Sequence, residues 1–519
     1  MSSKHNEYLV GYLERHKETA FLGSDLLKVL LSQFPELNES SGRKIISQCK
    51  TKGLIQSSEP VKFSNNQYAY SSIHSTKGYS LYKNAIKQHK HQLFRIVYAL
   101  NRNNHILSLN DFYRISGVTT NPDEHTVFSE QLLADLERLN IARKGETDGI
   151  EYLYYIDNGP TSDIIETLKS DLIDKNFLLS CCTQWLEKSN IVSRYSTCYL
   201  GEANHYSGIS RNNMFWDSFG YTNTVGLGSR LRDNQTIVII DFSPKYQYQE
   251  YDFTGFKDRV DHLVFSVKNE KRKVMPIVIA DSFSPTAITR IRENNYMVFS
   301  VDSVLGKKAL QVSQKYRETI STIEQRIEHK DYSSIIDDVS NLYTYLADGV
   351  NEVNFGNLKG ILFEYLMYPV LSHIFSRKGD RITHHYERSL NNNRFEFDYY
   401  IETETEDILI ELKGYKKNSV IQLGKKDPET HIPEKNSILW SLKQFDLAKQ
   451  YLGKREGRKT KFCYITTCTI HEDGKKALKD RKKDYPDSLD IYYEYDSLMQ
   501  LLGDNDKKEK QIIAQFYDQ

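Results

Sequence analysis

The sequence predicts a multidomain protein of mixed α/β and α+β class, and three observations lead there. Its 519 residues exceed what one hydrophobic core organises. A helix, helix, helix, hairpin order occurs twice before residue 158. Beyond that point short apolar strands alternate with helical stretches. The expected boundaries are 1–76 and 77–158 for the repeated modules, 159–309 for a central α/β domain, 310–350 for a helical connector and 351–519 for a C-terminal domain.

In the first module helices are expected over 7–16, 24–34 and 41–51, followed by a polar hairpin ending in Gln67-Tyr68-Ala69-Tyr70. In the second they are expected over 79–102, 109–116 and 128–139, before a hairpin ending in Tyr154-Tyr155-Ile156. Three helices and a β wing resemble tandem winged-helix domains. Ser40-Ser41-Gly42-Arg43-Lys44 opens the third helix of the first copy, so Arg43 and Lys44 are candidate nucleic-acid contacts. The matching helix of the second copy is acidic and is assigned to packing or dimerisation.

Composition narrows the class. Hydrophobic residues are 39% and charged residues 27%, proportions of a globular chain. No apolar run approaches the roughly 20 residues that cross a bilayer, and the N-terminus reaches charge at once, so a cytoplasmic protein with no membrane partner is expected. The six cysteines form no CxxC pair, which argues for reduced thiols and no structural zinc. No GxxxxGK[ST] phosphate loop occurs, and Val225-Gly226-Leu227-Gly228-Ser229 reads as a loop. The 69 basic residues balance 69 acidic ones overall, yet residues 413–483 hold 19 Lys and Arg against 8 Asp and Glu.

The chemistry is concentrated in the C-terminal domain. Glu364 lies in a helical stretch, Asp398 in the strand Arg394-Phe395-Glu396-Phe397-Asp398-Tyr399, and Glu411 and Lys413 in the strand Ile408-Leu409-Ile410-Glu411-Leu412-Lys413. Alternation along a strand puts Glu411 and Lys413 on one face and Ile410 and Leu412 on the other. Charges set among Ile and Leu are costly to bury, and a hard divalent cation with oxygen ligands would resolve the cost.

This arrangement resembles the PD-(D/E)xK, or restriction-endonuclease-like, nuclease superfamily, over roughly residues 351–494. The resemblance matches Glu364 to the helix carboxylate, Asp398 to the strand aspartate and Glu411-Leu412-Lys413 to (D/E)xK, with Gln444 on the helix that follows. Phe397 stands where the motif has proline. It implies an α/β/α nuclease domain in which Asp398, Glu411 and Glu364 bind Mg²⁺, with Mn²⁺ a substitute. Lys413 would orient or deprotonate the attacking water. Lys416, Lys417, Lys425, Lys426, Arg455, Arg458 and Lys461 are the candidate phosphate contacts.

The central domain follows the same order of elements and is expected to be a degenerate copy of that fold. Asp241-Phe242-Ser243 aligns with Glu411-Leu412-Lys413 and has Ser in the lysine position, so no catalysis is expected there.

The leading expectation is a Mg²⁺-dependent endonuclease acting on DNA in prokaryotic restriction, anti-phage defence or mobile-element processing. Two others stay open: a non-catalytic DNA-binding regulator or scaffold, and an effector- or partner-activated nuclease acting on RNA. Besides DNA, the candidate partners are a second copy of the chain and a partner ATPase or other complex subunit.

Overall fold

The structure is a computed structural model that describes residues 3–118, 129–193, 198–199, 209–211, 213–222, 235–270, 272–349, 356–390, 393–426, 433–434, 437–453 and 457–518. Its contacts divide the chain into two compact units, Met1–Val304 and Leu305–Gln519. The architecture is mixed α/β with several small sheets. No described helix is long and apolar enough to cross a membrane.

The first unit opens with helices Ser3–Arg15, Gly23–Gln33 and Glu39–Thr51. The Asn38 side chain caps the third by accepting the Ser41 N–H, and Ile45, Ile46 and Cys49 turn its apolar face to Leu9, Leu13, Leu26 and Leu30. Strands Phe21–Leu22, Ala69–Ser72 and Ile55–Ser57 form an antiparallel sheet beside them. Arg43 and Lys44 are exposed.

The second module differs from expectation in one element. The helix expected over 79–102 is two, Tyr79–His89 and His91–Arg102, because Lys90 leaves helical geometry at φ −136° and ψ 65°. The Lys90 ammonium instead reaches Asp135 at 2.8 Å. Helices Leu109–Ser116 and Ser129–Arg138 and a three-stranded sheet of Ile106–Ser108, Ile150–Tyr155 and Ala142–Thr147 complete the module.

Helix Ser162–Lys188, capped by Thr161, leads into the central sheet. Its strands run in the order Cys198–Tyr199, Ser218–Thr222, Thr236–Tyr248, Val274–Phe283 and Met297–Ser300, the first two pairings antiparallel and the last two parallel. Helix Glu250–Ser266 abuts the second module so closely that a Cβ on Gly255 would lie 2.4 Å from the Ile115 carbonyl oxygen. Around this contact Arg95 meets Asp258 at 2.8 Å, Arg102 meets Asp252 at 2.9 Å and Arg114 meets Asp241 at 3.4 Å. The second module contributes to this interface through helices His91–Arg102 and Leu109–Ser116. The Val225 to Ser229 segment lies outside the described residues.

In the second unit, helices Ala309–His329 and Tyr332–Gly349 do more than connect. Ile335, Val339 and Leu342 recur at helical spacing and enter one core with Leu362, Phe363 and Leu366 of helix Gly356–Ile374. That core covers one face of a sheet ordered Arg381–Leu390, Asn393–Glu402, Glu406–Lys413, Lys459–Thr466 and Tyr492–Tyr493. Helix Ile438–Leu452 covers the other face through Ile438, Leu442, Phe445 and Ala448, giving an α/β/α sandwich. Pairings are again antiparallel, antiparallel, parallel and parallel.

The Gly255 contact leaves no room for a methyl group. Gly255→Ala should lower the urea-unfolding free energy by roughly 1–3 kcal/mol through overpacking. Gly11→Ala, at a helical position with nothing within 4 Å, should be neutral or stabilising by up to about 1 kcal/mol.

Candidate active site

The site forms where two strands of the second sheet part. Strand Asn393–Glu402 pairs with Glu406–Lys413 from Glu402↔Asp407 to Tyr399↔Ile410, where the ladder ends, so that the next step of the same register sets Asp398 opposite Glu411. Phe395 and Phe397 enter one core, Tyr399 and Ile401 the other. Strict alternation would keep all four on one face, so the strand reverses its facing at Asp398. The freed carboxylate then takes the Leu412 N–H on Oδ2 at 2.5 Å.

On the neighbouring strand Ile408, Ile410 and Leu412 enter one core and Leu409 the other. Glu411 and Lys413 therefore fall on the Leu409 side, with Lys413 Nζ 2.6 Å from Glu411 Oε1. Glu364 arrives from helix Gly356–Ile374, where the Tyr399 hydroxyl donates to its backbone oxygen at 2.9 Å. Gly414 allows the helix this close, since a Cβ there would meet Phe363 Cβ at 2.8 Å and the Lys359 oxygen at 2.9 Å.

The electrostatics show a cluster short of positive charge. Burial pushes the Glu364 carboxyl up to about 8, with Glu411 adding to the rise and Lys413 opposing it. Asp398 is driven well above the usual carboxylate range by burial and by Glu364. Lys413 resists the burial that favours loss of its proton, because Glu411 and Asp398 hold the ammonium charged. One cation thus faces three carboxyl groups.

Three residues of the site were not singled out from the sequence. His384 Nε2 lies 3.6 Å and His385 Nδ1 3.9 Å from Glu364 Oε2. Among the described residues, Glu364, His384 and His385 form the one group of three acidic, His or Cys side chains whose ligand atoms all lie within 4.8 Å. Burial lowers both imidazoles to about 4. Glu411 lies close enough to raise Glu364, and Glu364 and Glu411 to raise Asp398, but the three do not meet that spacing together. The third residue, Tyr464, pairs with Glu411 across the sheet and holds a buried hydroxyl with no hydrogen-bond partner.

The other expected residues divide. Gln444 is buried on helix Ile438–Leu452. Lys416, Lys425 and Lys426 are exposed, whereas Lys417 pairs with Asp518 at 2.9 Å. Arg458 and Lys461 do not serve as surface phosphate contacts. Arg458 braces buried Asp407 at 2.8 Å, and Lys461 is buried, donating to the Lys483 oxygen at 3.0 Å. Arg455 lies outside the described residues.

The central sheet repeats the backbone arrangement around Asp398 with different electrostatics. Its ladder runs from Thr222↔Thr236 to Ser218↔Ile240, so Asp217 stands opposite Asp241 as Asp398 stands opposite Glu411. Asp217 Oδ2 accepts the Phe242 N–H at 2.8 Å, the counterpart of the Asp398 to Leu412 bond. Here the chain supplies its own cations. Lys175 meets Asp217 at 2.8 Å, Arg259 meets Asp241 at 2.6 Å, and Ser243 occupies the lysine position. Against the effect of burial, Arg114 and Arg259 hold Asp241 below the usual carboxylate range. Lys245 pairs with Asp171 at 2.6 Å.

No protein-family model matches the chain, and no curated protein does. Solved structures match in part. EndoMS in complex with double-stranded DNA shares 10% identity and a TM-score of 0.16 over 29% of this chain and 51% of its own. A repair endonuclease from Pyrococcus abyssi shares 10% identity and a TM-score of 0.17 over 31% of this chain and 64% of its own. Can2 from Sulfobacillus thermosulfidooxidans, in complex with cyclic tetra-adenylate, shares 12% identity and a TM-score of 0.21 over 53% of this chain and 92% of its own. The chain thus spans about half of the first and under two thirds of the second. Scores this low leave the functional assignment to the geometry of the site.

The two sites should respond oppositely to substitution and to pH. Arg259→Met leaves the fully buried Asp241 short of its closest cation and should cost about 3–5 kcal/mol in denaturant unfolding. A carboxyl whose folded value is raised stabilises the fold below its unfolded value and loses that contribution as pH rises through the folded one. Glu364 should therefore contribute a loss of stability as pH rises from its ordinary value of 4.5 to about 8, and Glu364→Gln should remove that contribution from the unfolding free energy measured across this range.

Proposed function

We propose that the second unit is a divalent-metal-dependent endonuclease that hydrolyses phosphodiester bonds, with DNA as its substrate. The observation that carries this reading is the convergence of Glu364, Asp398 and Glu411 on one partly buried ammonium, with two of the carboxyls driven upward. Such a cluster is stable in its charged form only with added positive charge, and the orphaned, buried Glu364 Oε2 fits the role of a ligand.

Asp398 and Glu411 would hold a Mg²⁺-type ion, with Glu364 ligating directly or through water. When bound, the ion supplies charge neutralisation at the scissile phosphate and a water of lowered pKa. The Leu412 N–H fixes one Asp398 oxygen and leaves the other for the ion. Lys413, kept protonated by Glu411 and Asp398, acts as a donor: it steadies the attacking water and the charge that develops on the phosphate. Exposed Lys416, Lys425 and Lys426 supply cations for the substrate backbone, and exposed Arg43 and Lys44 supply a second contact from the first unit.

Purified protein should nick supercoiled DNA with Mg²⁺ or Mn²⁺ and lose the activity in EDTA. Asp398→Asn and Lys413→Ala should each cut the rate by at least about 100-fold while the protein still folds and binds DNA. Equal cleavage by either variant would refute the assignment. Binding without metal-dependent cleavage, on DNA and on RNA alike, would favour the regulator.

A further inference from the structure

The arrangement of His384 and His385 differs from that of a regular strand. Neighbouring residues of a strand point to opposite faces, yet these two rings lie with centroids 3.7 Å apart and both face Glu364. The cause is local. His385 takes φ +52° inside strand Arg381–Leu390, a left-handed conformation that a residue with a Cβ adopts at a cost. Its register position is opposite Asp398, between the pairs His384↔Tyr399 and Tyr386↔Phe397. The backbone irregularity that reverses Asp398 is thus matched by one that gathers two imidazoles.

The polar atoms brought together do not satisfy one another. His384 Nε2 and Glu364 Oε2 are both buried and lack a hydrogen-bond partner. Their 3.6 Å separation is too long for a hydrogen bond and suits two ligands of a common ion at about 2.0–2.2 Å from each. The His384 ring is held in place by Tyr399 at 4.9 Å and Tyr365 at 4.8 Å, while His385 is about half exposed and leaves an approach from solvent. Strained backbone, orphaned ligand atoms and a fixed ring are a built site.

We infer that Glu364, His384 and His385 form a second metal position beside the carboxylate cluster, one that takes a divalent transition ion such as Mn²⁺, Co²⁺ or Zn²⁺ in preference to Mg²⁺. Two imidazole nitrogens select against a hard, all-oxygen ion. Three protein ligands leave coordination positions open for water or a phosphate oxygen. Glu364 is shared with the proposed nuclease site, so the inference deepens that reading by naming a second ion at its margin, while the binding itself rests on the histidine geometry.

The test is Mn²⁺ binding to the full chain without nucleic acid, by equilibrium titration, with pulsed electron paramagnetic resonance to detect coordinated nitrogen. Wild type should show nitrogen coupling from imidazole and hold Mn²⁺ at least about tenfold more tightly than Mg²⁺. His384→Gln should lose the coupling and weaken Mn²⁺ by a similar factor. Because His384 is packed between aromatic rings, His385→Gly provides the second variant: it suits the left-handed backbone and removes one ligand. Wild-type protein with no nitrogen coupling, or a folded His385→Gly that binds Mn²⁺ as wild type does, would overturn the site. Failure of DNA cleavage alone would sink the nuclease reading and leave this measurement intact.

Discussion

Everything in the second unit turns on a shortage of positive charge at the point where strands Asn393–Glu402 and Glu406–Lys413 separate. The break in the ladder frees Asp398, alternation brings Glu411 and Lys413 to its side, and Gly414 lets Glu364 approach from the helix. Burial then makes Glu364 and Asp398 poor acids, so the site favours a proton or a metal ion over free charge. Stability and chemistry are opposed here: the feature that would let the site grip a metal is the one that strains the metal-free fold.

The central sheet shows the other solution to the same problem. Strand order and pairing directions are shared, and so is the aspartate that accepts a backbone N–H one residue past its opposite carboxylate. Lys175 and Arg259 supply positive charge from the chain itself, and Arg114 and Arg259 hold buried Asp241 below the usual carboxylate range. The frame proposed to hold a metal in the second unit is, in the central sheet, held by its own salt bridges, and the second module contributes Arg114 to them.

The sequence made some of this legible and hid the rest for identifiable reasons. Glu411 and Lys413 were readable because period-2 alternation is enforced by the flanking Ile and Leu. The aligned Asp241-Phe242-Ser243 was readable on the same ground. The histidine pair was not, since adjacent residues normally diverge and nothing in the letters announces a left-handed His385. Charge runs were a poor guide to surface chemistry: Arg458 and Lys461 lie in the basic stretch, yet both turn inward to local partners. The break at Lys90 carries no Gly or Pro signal, and the Lys90 ammonium meets Asp135 where the helix is interrupted. The helices over 309–349 looked like a connector because charged positions run throughout them and interrupt a stripe of apolar ones that proves to be core.

The contrast between the two sites is tested most directly by anomalous X-ray scattering from crystals grown in Mn²⁺. A manganese peak should stand among Glu364, Asp398 and Glu411, and the space between Asp217 and Asp241 should hold none. A peak between Asp217 and Asp241, or no peak near Asp398 at saturating Mn²⁺, would contradict the account.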